Sequence, residues 1–229
     1  MVHTVGRLEP LFADLAAELG PDVETTHVVD EDLLGEAIAA GRVPEATAAR
    51  LEATVDRAIR GGADLVLVTC SSMGGVVDAM AARGMPVVRV DEALADRAIE
   101  LGARIGVIAT LATTLEPTAD LIRRRADAAG REPGSVSLVT RVVDGAFDAL
   151  KAGDLETHDE LVRAGLRELL PLVDVIVLAQ ASMARVAATL EAEDTGDTPI
   201  LASPRLGVER AMSRLLSGGP EDAGAGSGG

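Results

Sequence analysis

Short apolar runs alternate along this chain with longer stretches whose apolar residues recur at helical spacing. The runs are Val2–Val5, Thr26–Val29, Leu65–Thr69, Val87–Val90, Ile105–Ala109, Leu138–Val143, Val175–Ala179 and Ile200–Ala202. Several are nearly continuous in Val, Ile and Leu, as strands buried on both faces of a parallel sheet are. Between them, Pro44–Arg60, Glu92–Leu101 and His158–Leu170 predict helices. Strand alternating with helix throughout argues for an α/β fold in which helices cover parallel sheets.

The same pattern occurs twice. Thr4 with Leu8, Glu9 and Pro10 matches Thr110 with Leu115, Glu116 and Pro117, and Val28-Val29-Asp30 matches Val142-Val143-Asp144. Ala39-Ala40-Gly41 finds a partner in Lys151-Ala152-Gly153. Asp64-Leu65-Val66-Leu67 pairs with Asp174-Val175-Ile176-Val177, Ser72-Met73 with Ser182-Met183, and Pro86-Val87 with Pro199-Ile200. The matches keep one order along the chain, and their spacing drifts only as loop insertions would cause. Two similar halves are therefore expected, each a four-stranded parallel sheet flanked by helices, at 1–95 and 96–204. A helix at 205–216 is expected to join the first half, and the Gly- and Ser-rich end, 217–229, to be disordered.

Ligands of open parallel sheets bind beyond the carboxyl ends of the strands. Two halves facing each other would share one cleft at those ends. Thr4, Thr69 to Ser72, Thr110 and Ala179 to Ser182 all lie there. Cys70 follows the run Leu65 to Val68 and precedes Ser71, Ser72, Met73, Gly74 and Gly75. A helix starting at about Val76 would favour its thiolate through exposed N–H groups and the helix dipole. The alternative is a buried cysteine acting as a small hydrophobe. The strand-end position, the flanking hydroxyls and the repeat favour a reactive thiol.

Thr110, Thr113 and Thr114 lie between a strand and a helix expected to begin near Glu116-Pro117. With Ser71 and Ser72 they make a candidate anion site of hydroxyls and N–H groups, a role compatible with helix capping. His3 is expected on the first strand, His27 on the second, and His158 on an exposed helix face. None has metal-ligand spacing, so no metal is expected. Asp30 and Asp144 are expected to cap helices.

Composition narrows the function. Cys70 is the only cysteine, which leaves no intramolecular disulfide and no cysteine-rich metal site. The net charge of −16 disfavours nucleic acid and anionic membrane as partners. Phe12 and Phe147 are the only aromatic residues, and the threonine loop lacks glycine, so a flavin site is not expected. No apolar run is long enough to span a bilayer. The N-terminus lacks the features of a signal peptide, so a cytoplasmic location is expected.

The segment Val68 to Gly74 resembles the first cysteine motif of the aspartate/glutamate/hydantoin racemase superfamily, and Val177 to Ala184 resembles the second. Ile105 to Thr110, with Thr113 and Thr114, is similar to the strand and threonine-rich loop that open the family's second half. The resemblance covers about residues 1–216. It implies two pseudo-symmetric parallel-sheet halves, a site between them that needs no cofactor, and a small carboxylate-bearing substrate. It is compatible with a homodimer. On this reading Cys70 and Gln180 are the candidate catalytic positions. Thr4, Ser71, Ser72, Thr110, Thr113, Thr114, Ala181 and Ser182 are the candidate substrate-binding residues.

One position departs from the family pattern. The racemases carry a cysteine in each half, one per face of the substrate; here the second place is Gln180. An amide does not act as a general acid or base near neutral pH. Ordinary two-thiol racemisation is therefore not expected. The family also includes arylmalonate decarboxylases, which keep one cysteine but in the other half. In its maleate isomerases a thiolate attacks an alkene carbon. Cys70 can serve as a one-sided proton donor or as a nucleophile, with Gln180 hydrogen-bonding the substrate or an enolate-like intermediate. The rival readings are a catalytically silent ligand-binding protein, for which the missing thiol would be the sign, and an oligomeric scaffold.

Overall fold

The computed structural model describes residues 1–190 and 195–217. Two four-stranded parallel sheets form its framework. The first holds β1 (Val2–His3), β2 (Val28–Val29), β3 (Val66–Val68) and β4 (Val87–Arg89) in the order β2-β1-β3-β4. The second holds β5 (Arg104–Ala109), β6 (Ser137–Val142), β7 (Val175–Leu178) and β8 (Ile200–Ala202) in the order β6-β5-β7-β8. The two orders are identical once β1 is laid on β5. The register agrees too: Val68 pairs with Arg89 at the end of the first sheet, and Leu178 with Ala202 at the end of the second. The sequence repeat is thus a repeat of structure. β1 is shorter than its apolar run because the chain leaves the sheet at Thr4 and turns into the cleft.

The helices are α1 (Glu9–Leu19), α2 (Asp32–Ala40), α3 (Glu45–Arg60), α4 (Gly74–Ala82), α5 (Glu92–Leu101), α6 (Ala112–Ala128), α7 (Ala146–Ala152), α8 (Leu155–Leu169), α9 (Ala184–Ala187) and α10 (Ser203–Ser217). They cover both faces of each sheet, which is why the central strands β3 and β7 are apolar at every position. On one face of the first sheet, Val66, Val68 and Cys70 pack with Leu33, Leu51 and Met73. On the other, Leu67, Val88 and Val90 pack with Phe12, Leu15, Val208 and Met212. The C-terminal helix α10 therefore seats against α1 and the first sheet. Phe12, fully buried there, contributes roughly 2 kcal/mol of transfer free energy. Ser217 is the last residue of α10, within the expected disordered end; 218–229 lie outside the described residues.

Several local expectations are corrected. α6 begins at Ala112, directly after the extended Leu111, and not near Glu116-Pro117. Pro117 sits inside the helix. His158 is fully buried rather than exposed. It lies on the stripe His158, Val162, Leu166, Leu169 that α8 turns to the core, and its Nδ1 is 2.8 Å from Asp159. Asp30 pairs with Arg50 at 3.1 Å instead of capping α2. Asp144 does not cap α7, whose N-cap is Gly145. Among the described residues, no helix is long and apolar enough to cross a membrane.

Candidate active site

The carboxyl ends of both sheets meet at one cleft. It is open to solvent on one side, and its enclosed space is small, about 40 Å³. Each half contributes the same construction to it. In the first half, Cys70 stands two residues beyond β3 and caps a 3₁₀ turn, Ser71–Met73, with its carbonyl accepting from Met73 N–H at 3.1 Å. In the second, Gln180 stands two residues beyond β7 and caps the 3₁₀ turn Ala181–Met183, its carbonyl accepting from Met183 N–H at 3.1 Å. The helical geometry thus begins at Ser71, with α4 following at Gly74, earlier than the start expected near Val76.

The threonines are matched as well. Thr4, following β1, hydrogen-bonds the Cys70 sulfur. Thr110, following β5, donates to Gln180 Oε1 from both its N–H, at 2.5 Å, and its hydroxyl, at 2.9 Å. Two donors on one amide atom identify that atom as the oxygen, so the network itself fixes the orientation of the amide. Gln180 therefore turns its –NH₂ group away from Thr110.

Burial pushes the Cys70 thiol up from its ordinary pKa. Hydrogen bonds from the Thr4 hydroxyl, the N–H groups of Met73 and Ser72, and the Ser72 hydroxyl pull the other way without cancelling it. The helix-start argument predicted a favoured thiolate; desolvation reverses its sign. At rest the group is a neutral S–H, surrounded by donors that would stabilise the anion left after it gives up its proton.

Eight of the ten candidate residues line the cleft: Thr4, Cys70, Ser71, Ser72, Thr114, Gln180, Ala181 and Ser182. Ser72 Oγ and Thr114 Oγ1 meet at 2.9 Å and join the two halves. Thr110 and Thr113 are not in the lining. Thr110 hydrogen-bonds Gln180 instead, and the buried Thr113 hydroxyl has no protein partner among the described residues. Sequence reasoning missed the apolar wall formed by Val5, Leu8, Leu34, Phe147 and Leu150. The one signal for it was the placement of Phe147, one of two aromatic residues in the chain.

His3 is not in the cleft. It is fully buried on β1, beside Phe12, with Nδ1 3.0 Å from Thr69 Oγ1 and Nε2 2.9 Å from His27 Nδ1. Desolvation, then the charges of His27 and the N-terminus, hold its pKa down to about 4. All fifteen lining residues lack a carboxylate, imidazole or cationic group; Cys70 is the sole titratable side chain among them. Among the described residues, no cluster of three His, Cys, Asp or Glu side chains is arranged to hold a metal ion.

The turn bearing Cys70 rests on a buried ion network. Arg89, only 2% exposed, lies against Gly74 so closely that a Cβ there would stand 2.2 Å from the guanidinium. Asp91 binds Arg89 through two hydrogen bonds, of 2.6 and 2.9 Å. Asp78 on α4 holds it at 2.7 Å and also binds Arg124 of α6 at 2.7 Å. The network ties the helix that follows the thiol to the opposite half of the molecule.

Duplicated half-sheets with a shared cleft at their strand ends define a pseudo-symmetric, two-half α/β fold. The chain belongs to the Asp/Glu/Hydantoin racemase family, whose model matches residues 4–211. Among solved structures, it is similar to a Yersinia pestis protein of Asp/Glu racemase type, at 18% identity and TM-score 0.67, over 94% of this chain and 97% of that one. A Bacillus anthracis glutamate racemase is similar at 14% identity and TM-score 0.66, over 95% of this chain and 81% of that one. An allantoin racemase from Klebsiella pneumoniae is similar at 17% identity and TM-score 0.61, over 95% and 86%. At these identities the likeness is one of fold. A search of curated proteins gave no match.

Proposed function

We propose that this protein is a cofactor-independent enzyme acting on a small carboxylate-bearing carbon acid, with Cys70 carrying a proton to or from one face of the substrate. The observation that carries this reading is that, among the described residues, Cys70 is the only titratable side chain lining the cleft. In the deprotonating direction the thiolate form of Cys70 takes the proton of the substrate C–H bond, whose electron pair stays on carbon as an enolate-like anion. In the protonating direction the Cys70 S–H gives a proton to that carbon, or to the carbanion left when the C–CO₂⁻ bond breaks and CO₂ departs. A C–H bond forms, and the thiolate left behind is stabilised by the Thr4 and Ser72 hydroxyls and the two N–H groups. In exchange the thiolate is thereby regenerated; in decarboxylation water restores the S–H, and its hydroxide combines with the departing CO₂ as bicarbonate. The Ser71 and Thr114 hydroxyls supply donors for the substrate carboxylate, Thr114 exchanging its contact with Ser72 for the substrate. The Gln180 amide, held by Thr110, steadies the intermediate from the second half. Lacking a proton carrier in the second half, the enzyme works on one face and is not an efficient two-thiol racemase.

The test is a screen of amino acids, hydantoins, malonates and maleate in deuterium oxide, read by proton NMR for exchange, inversion and decarboxylation together. Cys70→Ala should lower the rate by about 10²–10⁴-fold while leaving the circular dichroism spectrum unchanged. A variant that keeps most of the wild-type rate on the best substrate would refute the assignment.

A further inference from the structure

Resting on that reading, we infer that the substrate carries a single acidic head and an uncharged apolar side group, seated against Leu8, Leu34, Phe147 and Leu150. The lining of the cleft is of two kinds. Hydroxyls, backbone N–H groups and one amide line it at the strand ends; Val5, Leu8, Leu34, Phe147 and Leu150 make the rest of the lining apolar, and Cys70 packs with Leu34 and Phe147. A second carboxylate would be desolvated against hydrocarbon with no cation in the lining to meet it. The protein's charge of −16 adds repulsion rather than relief. Two cations stand outside this wall: Arg7, whose guanidinium is engaged in donating to the Leu150 carbonyl at 2.7 Å, and the solvent-exposed Lys151, whose ammonium lies 6.0 Å from the centre of the Phe147 ring.

The wall is built for the purpose by α7. This seven-residue helix is bounded by Gly145 and Gly153, both left-handed, with φ of 77° and 81°. Left-handed glycines let the chain turn sharply into and out of so short a helix, and the helix carries Phe147 and Leu150 onto the cleft. Phe12, the other aromatic residue, is fully buried in a different core cluster. The chain thus places its one cleft aromatic where a side group would lie. Burying a methylene strengthens association about fourfold, so a benzyl or isobutyl group gains several such factors and a carboxyethyl group loses them.

The experiment uses matched pairs of amino acids and 5-substituted hydantoins. Each pair has one head and either a benzyl or a carboxyethyl side group. Two readouts are taken on the full chain: Cys70-dependent deuterium exchange, and binding by saturation-transfer NMR, which needs no turnover. Within the head class that is used, the benzyl member should lead by about 100-fold in kcat/KM and also bind more tightly. Phe147→Ala should erase at least tenfold of that lead, and Phe147→Leu should restore part of it. Arg7→Ala should leave the preference in place. Equal or better use of the carboxyethyl members would overturn the inference while leaving the role of Cys70 standing. If every member fails to exchange above the Cys70→Ala background, the proposed activity falls. The binding readout then still decides the inference, since tighter binding of carboxyethyl members, or none of benzyl members, sinks it.

Discussion

At the scale of single residues, positions 70 and 180 occupy equivalent turns, each satisfied by an equivalent threonine, and differ only in what the side chain can carry. Thr4 donates to a sulfur that can exchange a proton; Thr110 donates to an amide oxygen that cannot. Because burial raises the Cys70 pKa, alkylation by iodoacetamide should reach half its maximal rate at a pH above that of a free cysteine. Thr4→Val, which deletes one donor to the thiolate, should move that midpoint higher still. A midpoint below that of free cysteine would show that the donors outweigh desolvation. Gln180→Cys should free the N–H and hydroxyl of Thr110, both within reach of an introduced thiolate. On a pure enantiomer in deuterium oxide, wild type should incorporate label at one face with little inversion, and the variant should gain inversion. Rapid inversion by wild type, kept in Gln180→Ala, would mean that another group is the second base.

At the scale of elements, the strands were legible because buried parallel strands need β-branched runs that few other segments of this chain contain. All eight runs became strands, and their repeated order predicted two equivalent sheets. Helix starts were less legible. Pro117 suggested a first turn, yet at the sixth helical position it forfeits a single N–H and α6 runs through it. The burial of His158 was readable from its spacing to Val162, Leu166 and Leu169, but its acidic neighbours pointed outward. Beyond the rarity of Phe147, nothing in the sequence marked the apolar wall, because α7 comes from one half and covers the cleft face of the other. The buried Arg89 was equally hidden, since only the fold brings Asp78 and Asp91 to it. Its role gives a prediction. Arg89→Met would leave Asp91, which is fully buried, without its partner and should destabilise the protein by about 3–5 kcal/mol. Gly74→Ala should cost about 1–3 kcal/mol by crowding a guanidinium that three hydrogen bonds hold in place. Urea unfolding measures both, and a change below 0.5 kcal/mol in either would contradict the packing described.

At the scale of the whole molecule, charge and burial pull stability in opposite directions as the pH falls. The chain carries −16 at neutral pH, so mild acid should relieve self-repulsion and favour the folded state. His3 opposes this. Fully buried beside Phe12, it has neighbours in His27, which is also pushed below its ordinary value, and in the N-terminal ammonium group. Its pKa falls from 6.5 in the unfolded chain to about 4 in the folded one. Between those values the unfolded chain binds the proton and the folded one does not. Stability is therefore fully present above the unfolded pKa and is lost as the pH drops toward the folded pKa. The loss should approach about 3 kcal/mol by pH 4. Asp96 and Asp174, whose pKa values are lowered by arginine partners, are lost only below the ordinary carboxylate range, so they do not contribute to this window. Urea midpoints measured from pH 7 to pH 4.5 should fall steadily in wild type. His3→Gln, which keeps a donor and an acceptor but does not titrate, should flatten the slope or reverse it as the repulsion term takes over. A wild-type profile that is flat across this range, or an unchanged slope in His3→Gln, would show that the imidazole is not what limits the fold in mild acid.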